Sequence, residues 1–554
     1  MRSGDRIVSD PKGKANVLSA YFKSVFTKEP PEDVPPMSGD RQPTLPPLEF
    51  SREGILKLLQ QLNPNKASGP DNILIRVLKE CAEQIAPFLQ ALFTQSLRTG
   101  NLPTDWKTAF ITPLFKKGDR SLPSNHRPVS LTSVCCKLME HIIFRHIMNH
   151  CENNNILTEV QHGFRRKHSC ESQLLETVDD LAYHIDQGHQ VDVVVLDFRK
   201  AFDTVPHRRL LSKLDHLGIR GSTHKWIETF LTSRKQKVVV DGAESAASDV
   251  LSGVPQGTVM GPLLFLLYIN DLPYSIKSQV RLFADDALIY RVIHKQADHE
   301  TLQEDLQHLE NWQEKWLMQF NPSKCTVIRM TSSRRKPKVY DYLLCGQKLK
   351  PVDSNPYLGV EISRTLSWNL HIDNVVKKAN SIMGLVKRNL YAAPKPTKIL
   401  AFQSIVRPTL EYAASIWDPS TQKNITKLEK VQRSAARFVC SDYSPFNSVT
   451  AMLEQLQWQT LEDRRKSARL TNLFKIRNGE LIVTAAEKRL TPTRSTRIHA
   501  ARYKQLATKS DTFKNSFFPK TIVNWNALPP AVIEAPSTPS FKERLKKHLN
   551  PQRI

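Results

Sequence analysis

Residues 281–290 read RLFADDALIY, and how the adjacent Asp285 and Asp286 are explained decides how the chain around them folds. The residues on both sides favour strand, whereas Ala-Asp-Asp does not. A tight strand-turn-strand hairpin with both carboxylates at its tip satisfies the pattern. Neighbouring like charges beside apolar side chains are costly unless a cation compensates them. A third carboxylate, Asp197, ends another apolar run, VDVVVLDF at residues 191–198. If the two runs pair in one sheet, three carboxylates converge. Hard divalent cations with oxygen ligands would then resolve the charge, Mg²⁺ taking one or two carboxylates plus substrate phosphates. A lone Asp-Asp is otherwise a turn, a helix cap or a solvated pair, and spacing alone does not choose among these.

Working outward, strand patterns recur in TAFITPLFKKGD, QKVVVDG and KCTVIRMT. Helical spacing lies between them, at roughly 131–151, 169–188, 207–232, 262–272 and 300–319. Strands alternating with helices at uneven intervals predict an α+β core of about 300 residues. Ahead of it, KANVLSAYFKSVF predicts a short amphipathic helix, and the Pro-rich residues 28–48 an extended linker. Ser51 is a predicted helix cap. The apolar positions from Leu74 to Leu92 predict one long helix kinked at Pro87. Beyond Ser363 the pattern is helical, with helices expected at 396–416, 423–440 and 459–478 and a terminal one carrying Phe541, Leu545 and Leu549.

The 554 residues carry a formal net charge of +25. From Ser363 onward there are 33 Lys and Arg against 13 Asp and Glu, so +20 of that charge sits in this last part. A basic region of this size suits a polyanion, nucleic acid first. The eight cysteines have no C-x-x-C or Cys/His ligand spacing and read as free thiols in a reducing compartment. No secretion signal opens the chain, and its longest apolar stretch, Pro262–Ile269, is too short to span a bilayer. The expectation is an intracellular protein with no membrane partner; nothing in the sequence fixes its oligomeric state.

Taken in order, the motifs resemble those of the reverse transcriptases of non-LTR (LINE-type) retrotransposons, of the jockey and CR1-like group. LDFRKAFDTVPH (196–207) resembles the family's motif A, GVPQGTVMGPLLFLLYINDLP (253–273) motif B, and FADD (283–286) the catalytic hairpin, motif C. HRPVSLTSVCCKLMEHII and QHGFRRKHSCESQLL resemble its fingers motifs, NPSKCTVI motif D, and YLGVEIS the hairpin that follows. The ordered match runs from about residue 51 to 363, and the basic remainder is similar to the C-terminal region of such elements.

The resemblance implies a right-hand polymerase with fingers, a palm built on an antiparallel sheet, a helical thumb and a mainly helical basic C-terminal region. On this division residues 1–50 form an N-terminal segment and linker, 51–363 fingers and palm, 364–440 thumb, and 441–554 the basic region. The implied activity is RNA-directed DNA synthesis, in which a primer 3′-OH attacks a dNTP with two Mg²⁺ ions, or Mn²⁺ in their place. The implied partners are an RNA template, a DNA primer or target, and dNTPs, with action on target DNA in the nucleus. Asp197, Asp285 and Asp286 would hold the metals, Asp286 more through charge and position than direct ligation.

Phe202 would lie beneath the incoming sugar and reject a 2′-OH. Gln256 and Gly257 would approach the nucleotide and the template base. Arg127, with Lys116 or Lys117, would grip the triphosphate, and Lys324 would protonate the leaving pyrophosphate. Asp203 and Asp271 read instead as structural, one at a turn that starts a helix and one as a cap. Trp417, Phe438, Tyr443 and Trp458 could stack on bases, although aromatics at helical spacing usually pack in a core. Full-length relatives carry an endonuclease ahead of the polymerase. Here some 50 residues precede the core, so a chain without its own nuclease is expected. The rival expectation is a catalytically silent nucleic-acid-binding remnant. Another polymerase of the same hand is disfavoured by the C-terminal region.

Overall fold

The computed structural model describes residues 1–3, 6–31, 34–333, 335–493 and 499–549. It is a mixed helix-and-strand protein whose contacts gather into two compact units. One comprises Met1–Phe164, Asp197–Ile276 and Asp305–Asn321; the other comprises Arg165–Leu196, Lys277–Glu304 and Pro322–Ile554.

In the first unit the strand Thr108–Phe115 pairs antiparallel with His126–Leu131 and parallel with Lys235–Val240. Helix Pro11–Ser24 covers this sheet. Asp10 caps it by accepting from the Gly13 N–H at 2.6 Å, and Pro11 fits the first turn, where no N–H partner is needed. Its Ala15, Leu18 and Phe22 bury against Ala109, Ile111 and Val238. Helix Met260–Ile269 is apolar all round and is therefore enclosed on every side. Its N-terminus is satisfied by the buried Glu140, whose carboxylate accepts from the Val259 and Met260 N–H groups.

The second unit is built on a five-stranded sheet in the order Lys350–Pro351, Thr326–Met330, Gln190–Leu196, Asp286–Ile293, Gln279–Phe283. Pairing is antiparallel except for the short outer strand Lys350–Pro351. Gln190–Leu196 lies at the centre, which is why five of its seven residues are apolar. Its one acid, Asp192, is fully buried and satisfied by Gln190 Nε2 and the Tyr342 hydroxyl, each at 2.8 Å. Helix Cys170–Asp186 packs Leu174, Val178, Leu181 and Ile185 on Val191, Val193, Tyr290 and Ile328, and this core continues without interruption into the C-terminal helices. Trp417, Phe438 and Trp458 belong to it, whereas Tyr443 is 57% exposed.

Several elements differ from expectation. The long helix breaks at Cys81 into Ile75–Glu80 and Ala82–Thr99, and Pro87 is carried inside the second piece. Pro87 is exposed, so the carbonyl it leaves without an intrahelical partner lies on the solvent side. The 207–232 segment is two helices, His207–His216 and Gly221–Leu231, separated by Gly218 at φ +88°. A Cβ at Gly218 would stand 1.9 Å from the Pro43 carbonyl oxygen. The Pro-rich segment is therefore strapped down rather than free: Gln42 and Leu45 donate to the carbonyls of His216 and Gly218, and Glu29 pairs with Arg209. The 396–416 stretch is four short pieces, including a π-turn at Phe402–Val406.

Candidate active site

The acid pair sits where a hairpin puts it. Asp286 opposes Phe283, so Ala284 and Asp285 form a two-residue turn and Asp286 opens the return strand. Both carboxylates are exposed. Two-residue hairpin loops require a positive φ, ordinarily supplied by Gly or Asn. Here Ala284 adopts φ +52°, a conformation that costs about 1–3 kcal/mol in a non-glycine residue. The same strand pairs on its other side with Gln190–Leu196, and that register ends at Leu196 opposite Ala287. The next residue of one strand is Asp197 and the preceding residue of the other is Asp286. Asp197 is half-buried, and its carbonyl accepts from the Asn321 N–H at 2.7 Å. Among the described residues no three His, Cys, Asp or Glu side chains gather into a group that could hold a metal.

A second set of residues meets in a cleft of the first unit. Phe202, in the short helix Ala201–Thr204, stacks on Phe265 with ring centroids 4.4 Å apart. The 252–257 loop is sewn onto this helix: Gly253 donates to the Val205 carbonyl and Val254 to that of Phe202. Gln256 accepts through its carbonyl from the Ser130 N–H at 2.7 Å, tying the loop to strand His126–Leu131. Gly257 has φ +103°, and a Cβ there would lie 2.7 Å from the Ser130 oxygen, so only glycine fits this approach. Phe202, Gln256 and the Ser130 backbone line the cleft together, with Lys200 and the buried Arg234.

Asp203 corrects its expected role. It neither ends a turn nor caps a helix, but lies within Ala201–Thr204 and accepts from Gln256 Nε2 at 2.8 Å. It thereby fixes the direction of the Gln256 amide. No local pattern could have revealed a bond spanning 53 residues. Burial pushes the Asp203 carboxyl up to about 6, against the opposing pull of Gln256, Lys200 and Arg127. A folded-state value above the unfolded one gives stability that is complete below about pH 4 and is lost as pH rises through about 6. Asp203→Asn is therefore expected to stabilise the protein at pH 8, by at most about 3 kcal/mol, and to make little difference at pH 4.5. Urea melts at the two pH values measure this, and an equal effect at both would contradict it.

The remaining candidates are more scattered. Arg127 is exposed on its strand, opposite Leu114. Lys116 and Lys117 follow the end of Thr108–Phe115 and are also exposed. Lys324 is an exposed turn residue of the other unit, two residues before strand Thr326–Met330. Asp271 also departs from its expected role as a cap. It precedes the turn Leu272–Ser275 without a capping hydrogen bond and instead accepts from Lys213 Nζ at 2.5 Å and Trp312 Nε1 at 3.1 Å.

Residues 115–362 match the family described as reverse transcriptase (RNA-dependent DNA polymerase). This segment is a reverse transcriptase domain. It contains the hairpin, the central strand and the cleft residues. Across 449 residues the chain is 27% identical to a probable RNA-directed DNA polymerase from transposon X-element of Drosophila melanogaster, covering 77% of this chain and 49% of that protein. It is 28% identical over 414 residues to the RNA-directed DNA polymerase from mobile element jockey of Drosophila funebris, covering 72% and 44%. Over 257 residues it is 31% identical to the retrovirus-related Pol polyprotein from type-1 retrotransposable element R2 of Popillia japonica, covering 43% and 34%. The chain thus spans about half the length, or less, of these curated relatives, and its similarity to the jockey and X-element proteins extends beyond the reverse transcriptase domain. No helix among the described residues is long and apolar enough to cross a membrane.

Proposed function

We propose that the chain is an RNA-directed DNA polymerase of a jockey-like non-LTR retrotransposon, acting on an RNA template, a DNA primer and dNTPs. The observation that carries this reading is the register Leu196↔Ala287, because Asp197 follows one of these residues and Asp286 precedes the other. Exposed carboxylates at a hairpin turn suit Mg²⁺, which takes one or two of them and completes its shell with substrate phosphates. A group of three protein ligands is not required. Asp197, Asp285 and Asp286 would hold two Mg²⁺ ions, or Mn²⁺ in their place. When bound, such ions lower the pKa of the attacking hydroxyl and neutralise charge on the departing pyrophosphate.

The chain's own residues supply positioning. Gln256, its amide directed by Asp203, and Gly257, with no side chain, would receive the nucleotide and its template base. Arg127 and Lys117 would grip phosphate oxygens, and Lys324 would give a proton to pyrophosphate. Residues 51–363 would serve as fingers and palm and 364–440 as thumb. Residues 441–554 would add the basic surface for the nucleic-acid backbone, in keeping with the +20 charge from Ser363 onward. Target DNA would place the reaction in the nucleus.

Extension of a DNA primer annealed to an RNA template, with Mg²⁺ and dNTPs, tests the reading; no extension by the intact chain would overturn it. A sharper expectation concerns Phe202. Its ring is stacked on Phe265 and, beneath the incoming sugar, would close the space a 2′-OH needs. Phe202→Ala is expected to shift the dNTP-to-rNTP ratio of kcat/KM towards rNTP by roughly 10²-fold. Single-nucleotide extension reads that ratio, and an unchanged value would take Phe202 out of sugar selection.

A further inference from the structure

The strand leading into the acid-bearing turn does not stand on backbone pairing alone. Arg281, four residues ahead of Asp285, is nearly buried, and its Nε donates to the Tyr290 hydroxyl at 3.1 Å. Its terminal nitrogens face Glu176 at 3.7 Å and Asp180 at 3.8 Å. Tyr290 in turn donates to Asp180 at 2.6 Å. Both acids lie on helix Cys170–Asp186, which packs against the sheet.

The far side of Glu176 is occupied by the C-terminal part of the chain. Its carboxylate accepts from the Thr484 N–H at 2.9 Å and from the Thr484 hydroxyl. One helical turn on, Asp179 accepts from Arg489 Nε at 2.8 Å, and the Arg489 guanidinium lies over the Tyr183 ring at 4.2 Å. At the end of the same helix Asp186 accepts from the N–H groups of Lys509 and Ser510. Glu176 and Asp179 are almost wholly buried. Buried carboxylates are tolerated only when such donors are in place, so the contacts are obligatory for both partners.

The geometry points to Glu176 as a positioning residue that couples Thr484, in the C-terminal region, to the hairpin bearing Asp285 and Asp286, so that this region braces the hairpin as well as adding basic surface. The brace is a single chain of contacts: Thr484 orients the Glu176 carboxylate, Glu176 and Asp180 hold Arg281, and Arg281 with Tyr290 fixes both strands of the hairpin. The inference rests on the polymerase reading only in taking this hairpin as catalytic.

The test uses the full chain with Thr484→Val, which keeps shape and N–H but removes the hydroxyl donor, and Thr484→Ser, which restores the donor. Glu176→Gln is the second disruptive variant. In Thr484→Val and Glu176→Gln, amide hydrogen exchange in residues 279–287 is expected to quicken about tenfold, with exchange between Gln190–Leu196 and Thr326–Met330 unchanged. Thr484→Ser is expected to exchange like the wild type. Primer extension by the two disruptive variants is expected to lose about tenfold in kcat with nucleotide KM unchanged. Wild-type exchange in the hairpin of both variants, or equal acceleration across the whole sheet, would overturn the brace. If the wild type extends no primer, the polymerase reading fails while the exchange pattern still decides the brace.

Discussion

Asp285→Asn is expected to reduce RNA-templated primer extension by about 10³-fold or more, roughly 4 kcal/mol of barrier, without unfolding the protein. Asp285 is the second residue of the two-residue turn and is exposed, and Asn has the same shape and suits turns. Such a surface change is ordinarily worth under about 0.5 kcal/mol of stability. What the substitution removes is a negative charge, which metal-assisted chemistry at this turn would need. Extension rates, urea melts and binding of an annealed template-primer should be measured side by side. Loss of extension with stability and binding retained is the expected result. Equal extension by both proteins would remove Asp285 from the mechanism. Binding without extension by either protein would favour the silent nucleic-acid-binding remnant.

Asp271→Asn should produce the largest loss of stability. Lys213 is fully buried in the first unit, its ammonium 3.7 Å from the Trp316 ring centre and 4.7 Å from that of Tyr268. It donates to the Tyr268 carbonyl at 2.6 Å and to Asp271. Burial pulls the Lys213 pKa down to about 8, with Asp271 opposing the fall. With a neutral amide in place of that carboxylate, the buried ammonium keeps hydrogen-bond acceptors but loses its counter-charge. Breaking a buried pair from one side costs about 3–5 kcal/mol. Urea denaturation at pH 7 checks the figure, and a loss below about 1 kcal/mol would contradict it. A lowered folded-state pKa also gives stability that is lost as pH falls through about 8, so the wild type should gain from pH 7 to 9 by this group while Asp271→Asn gains more steeply.

The local elements were legible because each rests on neighbours in the chain. VDVVVL is apolar at nearly every position, as a strand covered on both faces must be, and LFADDAL interrupts strand formers with turn residues. The cap at Ser51 accepts from the Gly54 N–H as its pattern predicts. The misread elements have causes at a distance. Pro87 sits inside a helix because its ring faces solvent, and Gly218 divides a helical stretch because Pro43, far earlier in the chain, lies against it. Asp203 and Asp271 looked like local capping acids because short polar residues near helix starts usually are. Their actual partners, Gln256 and Lys213, lie 53 and 58 residues away, beyond the reach of any local pattern.

By itself, then, the sequence determined the hairpin, the apolar central strand, the basic C-terminal third and, through the order of its motifs, the reverse transcriptase domain. These follow from periodicity, turn chemistry and charge, all of which act along the chain. Only the tertiary structure decided that Asp203 orients Gln256, that Asp271 neutralises a buried lysine, and that Glu176 joins the C-terminal segment to the hairpin strand. Such roles depend on which groups share a water-excluded space, where an unpaired charge is costly enough to demand one particular partner. That partner is chosen by packing in three dimensions, and no spacing along the chain encodes it.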